Sequence, residues 1–409
     1  MATAQDLSAL FKEVYGDKLE SLIPESSVLL KKIPFRKSEK LGDKFIQPVL
    51  LSSEQGFTYN SDGTAFSLND AVTAVMKEAQ VDGSELLLRT SISYRHAAKA
   101  AEGKGAFANW TKLVVKNMLD SISKRLEVGM LYGQSGIGTI DGDPGTGPGA
   151  REVDITSASW AAGIWAGSEG ASLDVYNAVG DTKRNSNAAV IIDSVDLDGE
   201  KITVSGNEDD LDAIADTDVF YFRGSKAAEM SGVDKIITNT GSLHNIDAST
   251  YALWKGNSHA VDGNLTAAHV LKGVGKAVAK SGLSDNVIIC CNPRAFETMN
   301  SASSRTFDSS YKASKAESGS ESIVFHGQNG VIEVVPNLYC KQGDAFAFSP
   351  KHMKRVGSSD VTFTLPGKPS EEIFLQLASN AGYELRCYSD QGLMGERPSS
   401  MVKFTGITV

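Results

Sequence analysis

Residues 37–60 read KSEKLGDKFIQPVLLSSEQGFTYN, and residues 85–95 read ELLLRTSISYR. The first stretch is strand-like over FIQPVLL, where Pro48 removes a backbone donor and so places the strand at an edge. In the second, Leu88, Thr90, Ile92 and Tyr94 alternate with Arg89, Ser91, Ser93 and Arg95, the period of a half-buried strand. Turn signals, SDG at 61–63 and VDG at 81–83, lie between the two. Two long strands and a wide loop therefore precede the first long helix, with little apolar material for a core of their own. Phe57, Tyr59 and Phe66 stand on that loop. Apolar side chains in such a place call for a partner surface, here another subunit.

The chain has 409 residues, enough for two or three domains or for one large core with extensions. Its charge is well mixed, so most of it should fold. The longest apolar runs, such as NVIIC, fall far short of the roughly 18 residues that a membrane span needs. The N-terminal MATAQDLSALFKEVYGDKLE reads as a short amphipathic helix, and Asp6, Glu13 and Asp17 interrupt any signal-like apolar block. Four cysteines in a chain this long make no disulfide framework, and adjacent Cys290 and Cys291 face opposite sides of a strand. All four read as reduced, mostly buried thiols of a protein made in a cytosol. A net charge of −10 argues against general binding to phosphate backbones, which needs clustered Lys and Arg.

Residues 106–131, AFANWTKLVVKNMLDSISKRLEVGML, form the clearest helix. Phe107, Trp110, Val114, Met118, Ile122, Leu126 and Met130 make one apolar stripe, and Gly133 is placed to end it in a left-handed cap. A Gly/Pro-rich connector follows. SLDVYNAVGDTKR reads as a short helix, and residues 188–224 as a small β module inserted into an α/β region, with an acidic link holding Glu208, Asp209, Asp210, Asp212, Asp216 and Asp218 that is expected in water. A helix follows Thr266 as N-cap and stops at Gly282; NVIICC is a buried strand; NPRAFETM restarts a helix with Asn292 as cap and Pro293 first. SIVFHGQNGVIEVV is a hairpin around Asn329-Gly330, and the tail is strand, loop and closing strand.

No chemical motif stands out. The glycines at 136, 138 and 142 follow a helix and lack the Lys-Ser/Thr pair of a phosphate loop. DSVDLDGEK resembles a calcium loop until its twelfth position, counted from Ser194, proves to be Ser205 rather than Glu. None of the six histidines has a histidine or cysteine partner at metal-ligand spacing. The sequence therefore reads as a non-enzymatic protein with no catalytic residue, no cofactor and no metal.

The order of parts is the informative feature, and it resembles a major capsid protein of the Hong Kong 97 phage type. LIPESSVLLKKIPF with KLGDKFIQPVLLSSEQGFTYN resembles the arm and the start of the extended loop. GAFANWTKLVVKNMLDSISKRLEVGMLYG resembles the spine helix, and SDNVIICCNPRAFETM an axial-domain strand and helix. The resemblance implies an α+β fold divided as follows: an arm at 1–44; an extended β loop at 45–95; the spine helix and part of the peripheral domain at 96–160. The axial domain would begin at 161–187, carry the β insertion at 188–224 and continue over 225–350. Peripheral-domain strands and the C-terminus would take 351–409.

Leu22, Phe35, Phe57, Tyr59 and Phe66 are the implied subunit-interface residues. The implied function is self-assembly into the hexamers and pentamers of an icosahedral shell around the double-stranded DNA of a tailed bacteriophage. Partners implied are other copies of the chain, a portal, a separate scaffolding protein and, where the particle carries one, a decoration protein. DNA would lie on the inner face without sequence-specific binding, and no membrane is involved. The location implied is the virion, assembled in the host bacterial cytoplasm. Two other readings stand beside it: an encapsulin-like compartment shell on the same fold, and a soluble α/β enzyme built on residues 172–350.

Overall fold

The computed structural model describes residues 27–36, 44–61, 63, 65–93, 104–301, 323–364, 374–377 and 380–409. The expected N-terminal amphipathic helix and Leu22 lie outside the described residues, as do the side chains of Phe107 and Trp110.

Strand β1 (Lys44–Ser52) pairs with β2 (Val75–Asp82) in an antiparallel hairpin of two strands, with Pro48 opposite Glu78. The strand at β3 (Ser84–Ser93) is present as the alternation requires, but it does not pair with β1. The true partner, β2, reads VMKEAQVD, too polar to announce itself as a strand. The hairpin is not without a core. Phe45, Leu51, Ala79 and Val81 pack along its inner face with Ile246, Trp254, Val356 and Met394.

The long helix spans Lys104–Tyr132, about 43 Å at 1.5 Å per residue. Met118, Ile122, Leu126 and Met130 are buried along its stripe. Its end differs from the expectation at Gly133: the left-handed residue is Gln134, at φ 65°. Gly133 is required for another reason, since a Cβ there would collide with the Met230 carbonyl.

The Gly/Pro-rich segment is more than a connector. Strands β4 (Gly138–Asp141), β5 (Arg151–Ile155), β6 (Ser172–Tyr176), β7 (Val190–Asp196), β8 (Lys201–Ser205) and β9 (Val219–Phe222) close a barrel in the order β4-β5-β8-β7-β6-β9. The β module therefore extends beyond 188–224, which holds three of its six strands. The expected short helix from Ser172 is instead β6. Val153, Leu173, Val175, Ile202, Val204 and Phe220 fill the barrel interior.

After a small hairpin, β10 (Ser242–Leu243) and β11 (Ile246–Asp247), come the two remaining sheets. One joins β12 (Asn257–Gly263), β13 (Val287–Cys291), β14 (Ile323–Gly327), β15 (Gly330–Pro336), β16 (Ala345–Phe348) and β20 (Val402–Ile407), ordered β12-β20-β16-β13-β15-β14. Helices Ala267–Ser281 and Pro293–Ser301 pack on one face of it. The Thr266 side chain accepts from the His269 N–H, and Gly282 is left-handed, as the sequence signals require. Asn292 likewise accepts from Arg294 N at 2.9 Å. The β14–β15 turn is one residue off the expected place, with Gln328-Asn329 between the Gly327–Gly330 pair. The other sheet is built on the 14-residue β19 (Gly382–Gly395), which pairs with β17 (Met353–Thr362), β18 (Phe374–Gln376) and β3. All four cysteines are free and buried.

Candidate assembly surface

The segment before β1 is fixed to its own subunit. Residues Val28–Lys32 form one helical turn, and the long helix supplies its N-terminal acceptor. Glu127 carboxylate oxygens accept from Leu29 N at 2.6 Å and Leu30 N at 3.0 Å, and from Asn337 Nδ2 at 3.1 Å. Burial pushes the Glu127 carboxyl above its ordinary range, against the pull of these hydrogen bonds and of Arg355. At the other end, Arg355 Nη1 donates to the Ile33 carbonyl at 3.3 Å, and its Nη2 to Asp360 at 2.9 Å. Leu29 and Ile33 are buried between these two clamps. Phe35 stands 5.9 Å from the Arg355 guanidinium, half-buried on its own chain.

Away from its inner face the β1–β2 hairpin turns inside out. The loop of residues 53–74 is held by polar contacts: Gln55 N donates to the Val72 carbonyl at 3.0 Å. Asn69 N donates to Thr58 Oγ1 at 2.9 Å, and Asn69 Nδ2 to the Phe57 carbonyl at 2.8 Å. No apolar cluster forms there among the described residues. Phe57 is 64% exposed, Tyr59 91% and Phe66 51%. Leu68, Val72 and Met76 are exposed beside them in sequence, as are Ile46 and Leu50 on the outward side of β1. Reading the sequence for aromatics missed these aliphatic residues. The signal for Ile46 and Leu50 was available: FIQPVLL is apolar at both alternations, so one set must face away from the hairpin's core. Three of the expected interface residues thus share one exposed loop, while Phe35 belongs to the docked segment.

The barrel presents a different surface. Residues 138–222 hold 17 acidic and four basic side chains, a net charge of −13, which leaves the other residues at +3. The acidic link was expected in water, and this holds only in part. Asp210 is buried and accepts from Asn187 N, Asn187 Nδ2 and Ala188 N. Asp218 is buried against Arg184 Nε at 2.9 Å and Ala215 N at 3.0 Å. Glu208 and Asp209, by contrast, are exposed. Among the described residues no three His, Cys, Asp or Glu side chains gather as metal ligands. No described helix is long and apolar enough to cross a membrane.

No protein-family model matches the sequence, and no curated protein does. Solved structures do, along the whole chain. The cyanophage A-1(L) capsid asymmetric unit superposes with a TM-score of 0.54 at 10% identity, over 100% of each chain. The capsid of a native GTA particle gives 0.51 at 8% identity, over 100% of this chain and 99% of that one. The capsid of the Myoviridae phage XM1 gives 0.50 at 8% identity, over 99% of each. The likeness is one of fold: the chain is an α+β protein with the fold of phage capsid proteins, and the resemblance to the Hong Kong 97 type holds at that level.

Proposed function

We propose that this chain is the major capsid protein of a tailed bacteriophage, assembling through its own copies into the hexamers and pentamers of an icosahedral shell around double-stranded DNA. The observation that carries the reading is the likeness to capsid subunits over the full length of the chain rather than over one domain. In this reading residues 27–36 are the end of the arm and the β1–β2 hairpin is the extended loop. The long helix with the β19 sheet makes the peripheral domain. The six-stranded sheet with its two helices makes the axial domain, and the barrel is its insertion. The chain plays a structural, non-enzymatic part in the virion, beside a portal and a separate scaffolding protein.

The exposed apolar loop supports the reading, because such side chains gain most when a neighbouring copy covers them, and a closed ring repeats that gain at every interface. Charge supports it too. With −13 on the barrel and +3 elsewhere, the barrel is the part that a polyanionic genome would repel. It therefore projects from the outer face, while the near-neutral remainder lines the interior.

Negative-stain imaging of the purified chain, alone and with a scaffolding protein, tests this. Rings or closed shells are expected. A uniform 43.5 kDa species under both conditions would count against the proposal. Particles loaded with a protein cargo instead of DNA would turn the reading toward a compartment shell.

A further inference from the structure

The long helix carries two adjacent cations in unlike surroundings. Lys124 Nζ donates to the Ala166 carbonyl at 2.7 Å. Arg125 instead lies over the Phe222 ring, 3.1 Å from its centroid, and its buried Nη1 has no hydrogen-bond partner. A buried guanidinium donor is costly to leave unmatched, so an acceptor from outside the chain is favoured there.

Two cavities meet at this side chain. The larger, about 440 Å³, is walled by Leu86, Leu88, Ile122, Leu126, Phe222 and Met230. A second of about 290 Å³ shares Ser121, Arg125 and Phe222 with it. Glu229 also borders the larger cavity, set over Gly129, where a Cβ would come within 2.7 Å of its Oε1. Arg125 and Glu229 feel each other's charge, yet Nη1 donates to no acceptor.

Burial pushes the Glu229 carboxyl up to about 7, against Arg125 and a hydrogen bond from Ser225. Burial also brings Arg125 down to about 10, so it stays charged at neutral pH. The other titratable or charged groups around these cavities are Glu85, Arg223, Asp120, Lys124, Glu169 and Tyr339, with Lys44, Asp82 and His244 past Glu229; burial brings Lys124 down to about 8. Burial pulls His244 down to about 4, so it is neutral. Below pH 7 Arg125 and Glu229 thus offer a fixed cation and a carboxylic acid O–H beside apolar carbon, with the exposed Glu85 and Arg223 also in the lining.

We propose that this cavity binds a small carboxylate with a short apolar tail, its head held by Arg125 and Glu229 and its tail against Leu86, Leu88, Ile122 and Met230. A guanidinium fork matches the two carboxylate oxygens, and a protonated carboxyl group donates strongly to a carboxylate. The apolar side chains in the lining favour hydrocarbon for the rest of the ligand. Above pH 7 Glu229 ionises, neutralises Arg125 and repels the ligand head.

Calorimetric titration of the full-length protein with hexanoate at pH 6.0 and pH 8.5 tests this, with hexanol and inorganic phosphate as comparison probes. Hexanoate should bind tightest, and about tenfold weaker at pH 8.5. Arg125→Gln should lose the binding, and Glu229→Gln should retain the pH 6.0 affinity at pH 8.5. Hexanoate binding no tighter than hexanol, phosphate binding tighter than hexanoate, or full affinity in Arg125→Gln would each overturn the proposal. If Arg125→Gln does not fold, hexanoate against hexanol on the unaltered protein decides alone.

Discussion

The barrel and the β1–β2 hairpin are both antiparallel β structure, yet they solve the edge problem in opposite ways. The barrel closes on itself, pairs every strand on both sides and fills its interior with its own side chains, Phe220 among them. The hairpin has two strands, edges that no third strand covers and a tip whose large apolar side chains face water. A closed sheet leaves no strand edge unpaired, whereas a two-stranded hairpin is marginal without something to pack on. Its inner face finds that support in its own subunit, at Trp254, Val356 and Met394. Its tip does not. The difference marks the tip as the place where the proposed assembly would complete the chain.

The strongest way to break this comparison is to remove the tip. Replacing residues 53–74 with a two-residue Asn-Gly turn should abolish assembly while leaving the subunit's melting temperature nearly unchanged. Shells formed by the shortened chain would show that the loop is ornamental. The converse change belongs in the barrel, where Phe220 is fully buried and 6.0 Å from Trp165. Phe220→Ala should cost about 3–5 kcal/mol of subunit stability in denaturant titration, through lost burial and the cavity left behind.

The seam between barrel and long helix should respond to pH. Glu229 holds its proton up to about 7 in the folded chain, against 4.5 ordinarily. The folded state therefore binds more protons than the unfolded one between those values. The stability this contributes is fully present below 4.5 and is lost as pH rises through about 7. Its loss should amount to about 1–2 kcal/mol, discounted for partial solvent access. Glu229→Gln should flatten that part of the stability–pH profile; an unchanged slope would remove Glu229 as its source. The smallest effect on the subunit is expected at the loop. Tyr59→Ala should change subunit stability by less than about 0.5 kcal/mol while weakening assembly measurably by light scattering.

What could be read in advance follows the range of the interactions concerned. The helix between Thr266 and Gly282, the strand Val287–Cys291 and the restart at Asn292-Pro293 are written in local signals, and the structure has all three. The barrel's first three strands are not. Glycines dominate the approach to β4, and β6 carries Asp174, a residue that strands ordinarily avoid. Asp174 is tolerated because Lys183 Nζ, 2.8 Å away, and Gly224 N, 2.9 Å away, satisfy its buried carboxylate. Those partners are distant in sequence or beyond the next turn, and no period announces them. Asp210 and Asp218 misled for the same reason, since acidic composition says water and only the folded chain supplies their donors. The candidate surface was legible through its aromatics Phe57, Tyr59 and Phe66. Its aliphatic half was hidden, because an outward Leu50 and an inward Leu51 look alike until β2 sets the register.

Amide hydrogen exchange, measured on the isolated subunit and on assembled particles, tests the central claim most directly. The account expects residues 53–74 to gain strong protection on assembly, while the barrel strands β4–β9, already closed, exchange at nearly the same rate in both states. Protection confined to the barrel with the loop unchanged, or a chain that forms no particle to measure, would contradict it.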